Sequence, residues 1–362
     1  MGDPSDGAGL AGPAGGTLVG LDAIRRAAEQ IRPAARRTPL LDAPPASPGD
    51  GSAGIGTHAT GEQARLWLKC ECLQHAGAFK LRGAYAFVSG LAPEERAAGV
   101  ITYSSGNHAQ AVAWSARAHG VPATVVMPVD APRVKLEGTL RLGARVERVG
   151  TTTLERKARA EEIATVEGSV MVPPFDHPEI IAGQGTTGLE IHEQLGEERE
   201  RRRGAEPPIG PLGLVLVPIG GGGLISGVAA AVRALAPSAR VVGVEPAGAP
   251  KMRRSLDAGH PVTLDRIDTV ADGLKPVRPG ELTFAHVRAL VDDVVLVEDD
   301  AIRAAVVWCH RRGLVVEPSG AATVAALLSG RVAPAAAAET CAVLSGGNVD
   351  PALLRAWLEA AA

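Results

Sequence analysis

Apolar residues in this chain gather into short runs that are hydrophobic at nearly every position rather than at every second one. Such runs occupy 100–103, 123–127, 214–217, 241–244 and 294–297, and each is followed by a stretch with helical periodicity. A strand apolar on both sides needs cover on both faces. The pattern therefore predicts an α/β protein with open, mainly parallel sheets and flanking helices. Leu21, Ile24, Ala28 and Ile31 fall on one helical face before Pro33, and an extended segment at 66–69 leads to a helix carrying Lys80. Residues 1–17 read as a disordered tail and 44–62, rich in Pro, Gly, Ser and Thr, as a mobile solvated loop. The charged run 197–203 reads as a solvated helix end or loop without a function. No internal repeat is visible.

The apolar run at 214–217 passes directly into Gly220, Gly221, Gly222 and Gly223 and then into an apolar helical stretch. Glycines let an anion approach the backbone, and a helix N-terminus adds unpaired N–H donors and a partial positive charge, so this loop should hold a phosphate. A dinucleotide is one candidate, because the following strand ends in Glu245, where a ribose-binding acid would stand. The glycine spacing argues against it: counting from Gly220 or Gly221 puts Ile225 or Ser226 where the third small residue is needed. The Gly-Lys-Ser/Thr of a Walker loop is absent as well.

Composition narrows the field further. The chain has 362 residues, 46% of them hydrophobic, enough for a substantial core in one or two domains. A net charge of -3 gives no electrostatic reason for a nucleic acid or an anionic membrane as partner. The four cysteines, Cys70, Cys72, Cys309 and Cys341, are too scattered for a disulfide framework. Cys70 and Cys72 flank Glu71 on what reads as a strand, and core packing suits them better than zinc. No segment has the pattern of a targeting peptide or a membrane helix, so a cytoplasmic protein is expected.

Two further segments specify the phosphate. One reads Lys69-x-Glu71-x-x-Gln74-x-x-Gly77-Ala78-Phe79-Lys80-x-Arg82-Gly83-Ala84, the other Ser104-Ser105-Gly106-Asn107-His108. Together with the tetraglycine, the 173–178 and 181–186 segments, Ala271-Asp272-Gly273, Glu317-Pro318-Ser319-Gly320 and Ser345-Gly346-Gly347-Asn348, they closely resemble fold-type II pyridoxal-phosphate enzymes of the threonine dehydratase and serine racemase family. The resemblance runs from about residue 20 to the C-terminus. It implies a tryptophan synthase β-like fold in which a small mobile domain at 96–168 sits on a large domain formed by 18–95 and 169–362, with pyridoxal 5'-phosphate in the cleft.

The resemblance also implies roles. Lys80 is the amine that holds the cofactor and the base that takes the Cα proton, with Phe79 beside it. Gly220 to Gly223 cradle the phosphate, Asn107 bonds the ring hydroxyl, and Ser345 faces the pyridine nitrogen. Ser104, Ser105, Gly106, Asn107 and His108 hold the substrate carboxylate. Ser105 is the second-face acid or base in the family's racemases, and Arg156 aligns with an arginine that points to their substrate cleft. Ala78 stands where the family has a Ser that could cap the Lys80 helix. The family's cation-binding members use a Glu, a carbonyl four residues on and an acid six residues on; here those positions are Glu245, Ala249 and Lys251, which implies no Mg²⁺ or Ca²⁺ site.

A neutral hydroxyl at the pyridine nitrogen favours expulsion of a β-substituent over a fully delocalised carbanion. The expected activity is a dehydratase, or ammonia-lyase, acting on L-threonine or L-serine. The alternatives are a serine racemase, or elimination or replacement on a specialised β-substituted amino acid. Relatives are dimers or tetramers, so a homodimer or homotetramer is expected. The chain ends without the regulatory domain of the biosynthetic threonine dehydratases, and feedback by isoleucine is not expected.

Overall fold

The computed structural model describes residues 17–43, 65–104, 106–131, 133–204, 208–335 and 338–361. The expected tail up to residue 16, the expected loop at 44–62 and Ser105 lie outside the described residues.

Two sheets organise the molecule. The larger runs in the order β1 (Leu40–Ala43), β2 (Leu66–Lys69), β10 (Glu339–Val343), β7 (Leu212–Pro218), β8 (Arg240–Pro246), β9 (Asp293–Val297). All its pairings are parallel except the antiparallel β1–β2 edge. The smaller is fully parallel in the order β5 (Arg145–Arg148), β4 (Ala123–Met127), β3 (Val100–Tyr103), β6 (Val170–Met171). The helices are α1 (Leu21–Ile31), α2 (Lys80–Ser89), α3 (Pro93–Ala98), α4 (Asn107–His119), α5 (Arg133–Arg141), α6 (Thr153–Glu167) and α7 (Pro178–Arg201). They continue with α8 (Gly223–Leu235), α9 (Lys251–Ala258), α10 (Glu281–Leu290), α11 (Asp299–His310), α12 (Pro318–Leu328) and α13 (Pro351–Ala360).

The doubly apolar runs have the cover they require. Leu214 and Leu216 of β7 join Val242, Val244 and Leu68 on one face, against Ile302 and Val306 of α11 and Val324 of α12. Val215 and Val217 join Val241, Val343 and Trp67 on the other, against Ile24 of α1, Ile191 of α7, Val228 of α8 and Val287 of α10. In the small sheet Ile101 and Val126 pack on Ala160 and Ile163 of α6, while Val125 and Met127 pack on Ala109 and Ala113 of α4.

Four strands depart from the hydrophobic pattern. β1 is an antiparallel edge strand that buries only Ala43 and leaves Leu41 exposed. β5 is an edge strand with exposed Arg145 and Arg148, and β6 has only two residues; neither buries enough to show a run. β10 is buried throughout but begins with Glu339 and Thr340, whose polar ends bond Trp67 Nε1 and the Ala335 N–H. Cys70 and Cys72 also differ from expectation. β2 stops at Lys69, and Glu71–Leu73 forms a single 3₁₀ turn, although both thiols are free and buried as a packing role requires.

Candidate active site

A cavity of about 500 Å³ opens between the two sheets. Its walls come from segments that follow strands: Ser104 after β3, Gly220 to Gly223 after β7 and Ser345 after β10. That is where parallel α/β sheets place ligand crevices, and the size suits a cofactor with a small substrate.

Lys80 begins α2 in the cavity wall. Its Nζ donates to the Pro174 carbonyl at 2.6 Å and stands 5.1 Å from the centre of the Phe79 ring. Burial lowers its pKa from 10.5 to about 8, since a low-dielectric setting disfavours the ammonium form. α2 has no side-chain cap: its N-cap is Phe79, and Ala78 is extended and bridges to Gly346. The helix is held from behind. A Cβ on Gly83 would stand 2.8 Å from the Ile180 carbonyl oxygen, and one on Gly183 2.7 Å from the Arg82 oxygen, so two glycines let α2 and α7 meet backbone to backbone.

Arg82, two residues on from Lys80 in α2, explains much of the first motif. Its guanidinium, 0% exposed, donates to Glu71 Oε1 and Oε2 at 2.8 Å each, to Glu190 Oε1 at 2.7 Å and Oε2 at 2.8 Å, and to Thr186 Oγ1 at 3.0 Å. Lys69 Nζ closes the network on Glu190 at 2.5 Å, the Thr38 carbonyl at 2.8 Å and Gln194 at 2.9 Å. Gln74 both accepts from the Arg36 N–H and donates to the Arg36 carbonyl, at 2.8 Å each. Burial alone would push the Glu71 carboxyl up, but Arg82 outweighs it and holds Glu71 below the usual carboxylate range.

Across the cavity, Gly220 to Gly223 turn into the N-terminus of α8. Among the described residues, the N–H groups of Gly220, Gly221 and Gly222 donate to no protein acceptor. Gly222, at φ 101°, takes the left-handed conformation that glycine adopts without strain, and a Cβ on Gly221 would overlap the Phe175 ring. Free donors, a helix N-terminus and open backbone fit a phosphate, and the Lys80 amine fits the aldehyde of pyridoxal phosphate.

Asn107, the first residue of α4, is clamped. Its Nδ2 donates to Glu317 Oε1 at 2.6 Å and its Oδ1 accepts from Asn348 Nδ2 at 2.8 Å, while Asn348 also donates to the Ala76 carbonyl at 2.8 Å. Burial, assisted by Asp272, raises the Glu317 carboxyl to about 8. Ser345 is buried in the wall, and its carbonyl accepts from the Phe79 N–H at 3.0 Å. Ser104 Oγ accepts from the Gly106 N–H at 3.3 Å. His108 lines the cavity, but its Nε2 lies 3.1 Å from the Val172 carbonyl; burial and then the Lys80 charge lower its pKa to about 3. It is neutral there, so it offers no charge to a carboxylate.

Arg156 also lines the cavity. Its guanidinium donates to the Thr151 carbonyl at 3.1 Å and to Thr153 Oγ1 at 3.0 Å, and its Nε is buried without a partner. Lys135, ion-paired with Asp272, lines the cavity from outside the motifs quoted above, while Phe175 and Ser319 line it from within them, and Ser319 Oγ accepts from the Gly273 N–H at 2.7 Å. Glu317 and Ser319 belong to a quoted motif but had no role. No helix among the described residues is long and apolar enough to cross a membrane.

Comparison with known proteins agrees with this geometry. Residues 31–346 match the model of the family described as pyridoxal-phosphate dependent enzyme. A serine racemase from Oryza sativa subsp. indica is 39% identical over 315 residues, covering 87% of this chain and 85% of the relative. An L-threonine ammonia-lyase from Geobacter sulfurreducens is 42% identical over 312 residues, covering 85% and 71%. The solved structure of maize serine racemase superposes with a TM-score of 0.83 at 37% identity, covering 95% of this chain and 98% of that one.

Proposed function

The chain belongs to the pyridoxal-phosphate-dependent enzyme family, and from that premise we propose that it is a dehydratase taking L-threonine or L-serine to the 2-oxo acid and ammonia. The observation that carries this reading is Lys80, an amine held near pKa 8 and facing the unpaired N–H groups of the glycine loop across one cavity. A relative named L-threonine ammonia-lyase supports it.

When bound, pyridoxal phosphate supplies an electron sink that weakens the Cα–H bond of an amino acid joined to it. The rest falls to the chain. Gly220 to Gly223 and the α8 N-terminus hold the phosphate. Asn107, fixed by Glu317 and Asn348, presents its amide to the ring, and Ser345 offers a neutral partner. Ser104, Gly106 and the N-terminus of α4 receive the substrate carboxylate, with Arg156 at the far wall. Lys80 Nζ, its pKa lowered by burial to about 8, takes the Cα proton. The β-hydroxyl leaves as water, and water then replaces the amino group, so one amino acid yields one 2-oxo acid and one ammonia. We take 96–168 as a small domain whose closure over 18–95 and 169–362 excludes water, in a cytoplasmic homodimer or homotetramer with no nucleic-acid partner.

Serine racemisation is the second reading, favoured by the rice and maize relatives; Ser105 would be its second acid or base. A test is to assay 2-oxo acid and ammonia from each substrate with wild type and Lys80→Ala. Equal yields of both products, absent in the variant, are expected. No oxo acid from either substrate with cofactor bound would sink the dehydratase reading.

A further inference from the structure

Lys251, like Lys69, has no access to solvent, and the reaction uses neither. Its Nζ sits among oxygens only: Glu245 Oε1 at 2.9 Å, the Ile219 carbonyl at 3.0 Å, the Leu274 carbonyl at 3.1 Å and the Ala249 carbonyl at 3.2 Å. Both Lys251 and Glu245 are 0% exposed. Four acceptors and no donor surround the nitrogen, so the site has the makeup of a cage for a hard cation, with oxygen ligands and one negative charge. Burial draws the Lys251 pKa down and Glu245 opposes it; a neutral amine would turn its lone pair on one of these oxygens, so the cage holds the ammonium form.

The oxygens come from separate pieces of the site. Ile219 directly precedes the glycine loop, and Leu274 lies in the cavity wall beside Asp272 and Gly273. Glu245 is the last but one residue of β8, and its carboxylate also accepts from the Met252 and Arg253 N–H groups at 2.9 Å each, which ties the start of α9 to the same point. One positive charge therefore joins β7, β8, α9 and the 272–275 wall.

We propose that the Lys251 ammonium is a tethered monovalent cation, a positioning group that fixes the glycine loop against the 272–275 wall and frees the site from any need for a dissolved cation. Its effect on the cofactor rests on the proposed reading of the glycine loop as phosphate cradle, and the test separates the two. The holoenzyme and its Lys251→Ala variant are compared in tetramethylammonium, potassium and ammonium chloride, following the melting midpoint and the equilibrium affinity for pyridoxal phosphate. Wild type should show the same values in all three salts. In tetramethylammonium the variant should lose at least about tenfold in cofactor affinity and melt lower, with potassium or ammonium restoring both in a saturable way.

A variant equally impaired in all three salts, or a wild type that gains tenfold from potassium or ammonium, overturns the proposal. If potassium restores the melting midpoint and leaves cofactor affinity untouched, the tethered cation stands and the glycine loop loses its role as cradle. Should the variant stay insoluble in every salt, wild type decides alone: invariance across the salts supports the proposal, and a tenfold gain refutes it.

Discussion

Arg82→Met removes the charge at the centre of the buried network and keeps most of the stem. It leaves Glu71, 0% exposed, with Thr38 Oγ1 as its side-chain partner, at 2.5 Å. Glu190 suffers less, because Lys69 stays beside it at 2.5 Å. Breaking a buried ion pair from one side costs about 3 to 5 kcal/mol. Since one of the two carboxylates remains paired, the lower end applies, about 3 kcal/mol. With about 2.1 cal/mol/K of melting entropy per residue, a chain of 362 residues has about 0.8 kcal/mol/K, so the melting midpoint should fall by about 4 °C. Calorimetry of the cofactor-bound protein measures this. Adding Glu71→Gln turns the stranded carboxylate into an amide and should recover about half of the fall, so the two changes are not additive. A midpoint for Arg82→Met within about 1 °C of wild type, or a double variant equal to the sum of the singles, would mean that Arg82 and Glu71 do not form a coupled buried pair.

Three other outcomes follow from the site. Cofactor-free protein should bond pyridoxal phosphate covalently with a rate that rises through pH 8; lowering the Lys80 pKa from 10.5 to about 8 raises the neutral amine at pH 7 about 300-fold, and a rate still climbing steeply at pH 10 contradicts it. Glu317, raised to about 8, contributes stability that is fully present below its unfolded value near 4.5 and is lost as pH rises through 8. Cofactor-free Glu317→Gln should thus match wild type at pH 4 and melt higher at pH 9, and melting curves showing the reverse order exclude that assignment. Gly221→Ala drives a methyl into the Phe175 ring and should weaken equilibrium cofactor binding by about tenfold or more; unchanged affinity would mean the loop does not hold the phosphate.

Contiguous features of the site are legible in the sequence. The glycine run, Lys80 and Asn107 each stand in a local motif whose chemistry can be argued from neighbours. Glu317 and Asn348 are different: they clamp Asn107 from 210 and 241 positions away, and no periodicity links such residues. Lys69, Glu71, Gln74 and Arg82 are visible as a pattern, yet their physical reason appears only when α7 brings Glu190 and Thr186 against them. Strands buried on both faces declare themselves, whereas β5 at a sheet edge and the two-residue β6 do not, since a strand with little to bury leaves no hydrophobic run. The Glu245–Lys251 relation shows the opposite case: the six-residue spacing is apparent, but only the fold adds the carbonyls of Ile219 and Leu274.

Proton NMR of the cofactor-loaded protein in D₂O with L-serine or L-threonine follows the α-proton and any 2-oxo acid in one tube, and so tests elimination against racemisation directly. 2-Oxo acid should accumulate as substrate is consumed, with Lys80→Ala inert. Loss of the α-proton signal without 2-oxo acid would mean that the deprotonated substrate returns to amino acid, contradicting a dehydratase and favouring racemisation.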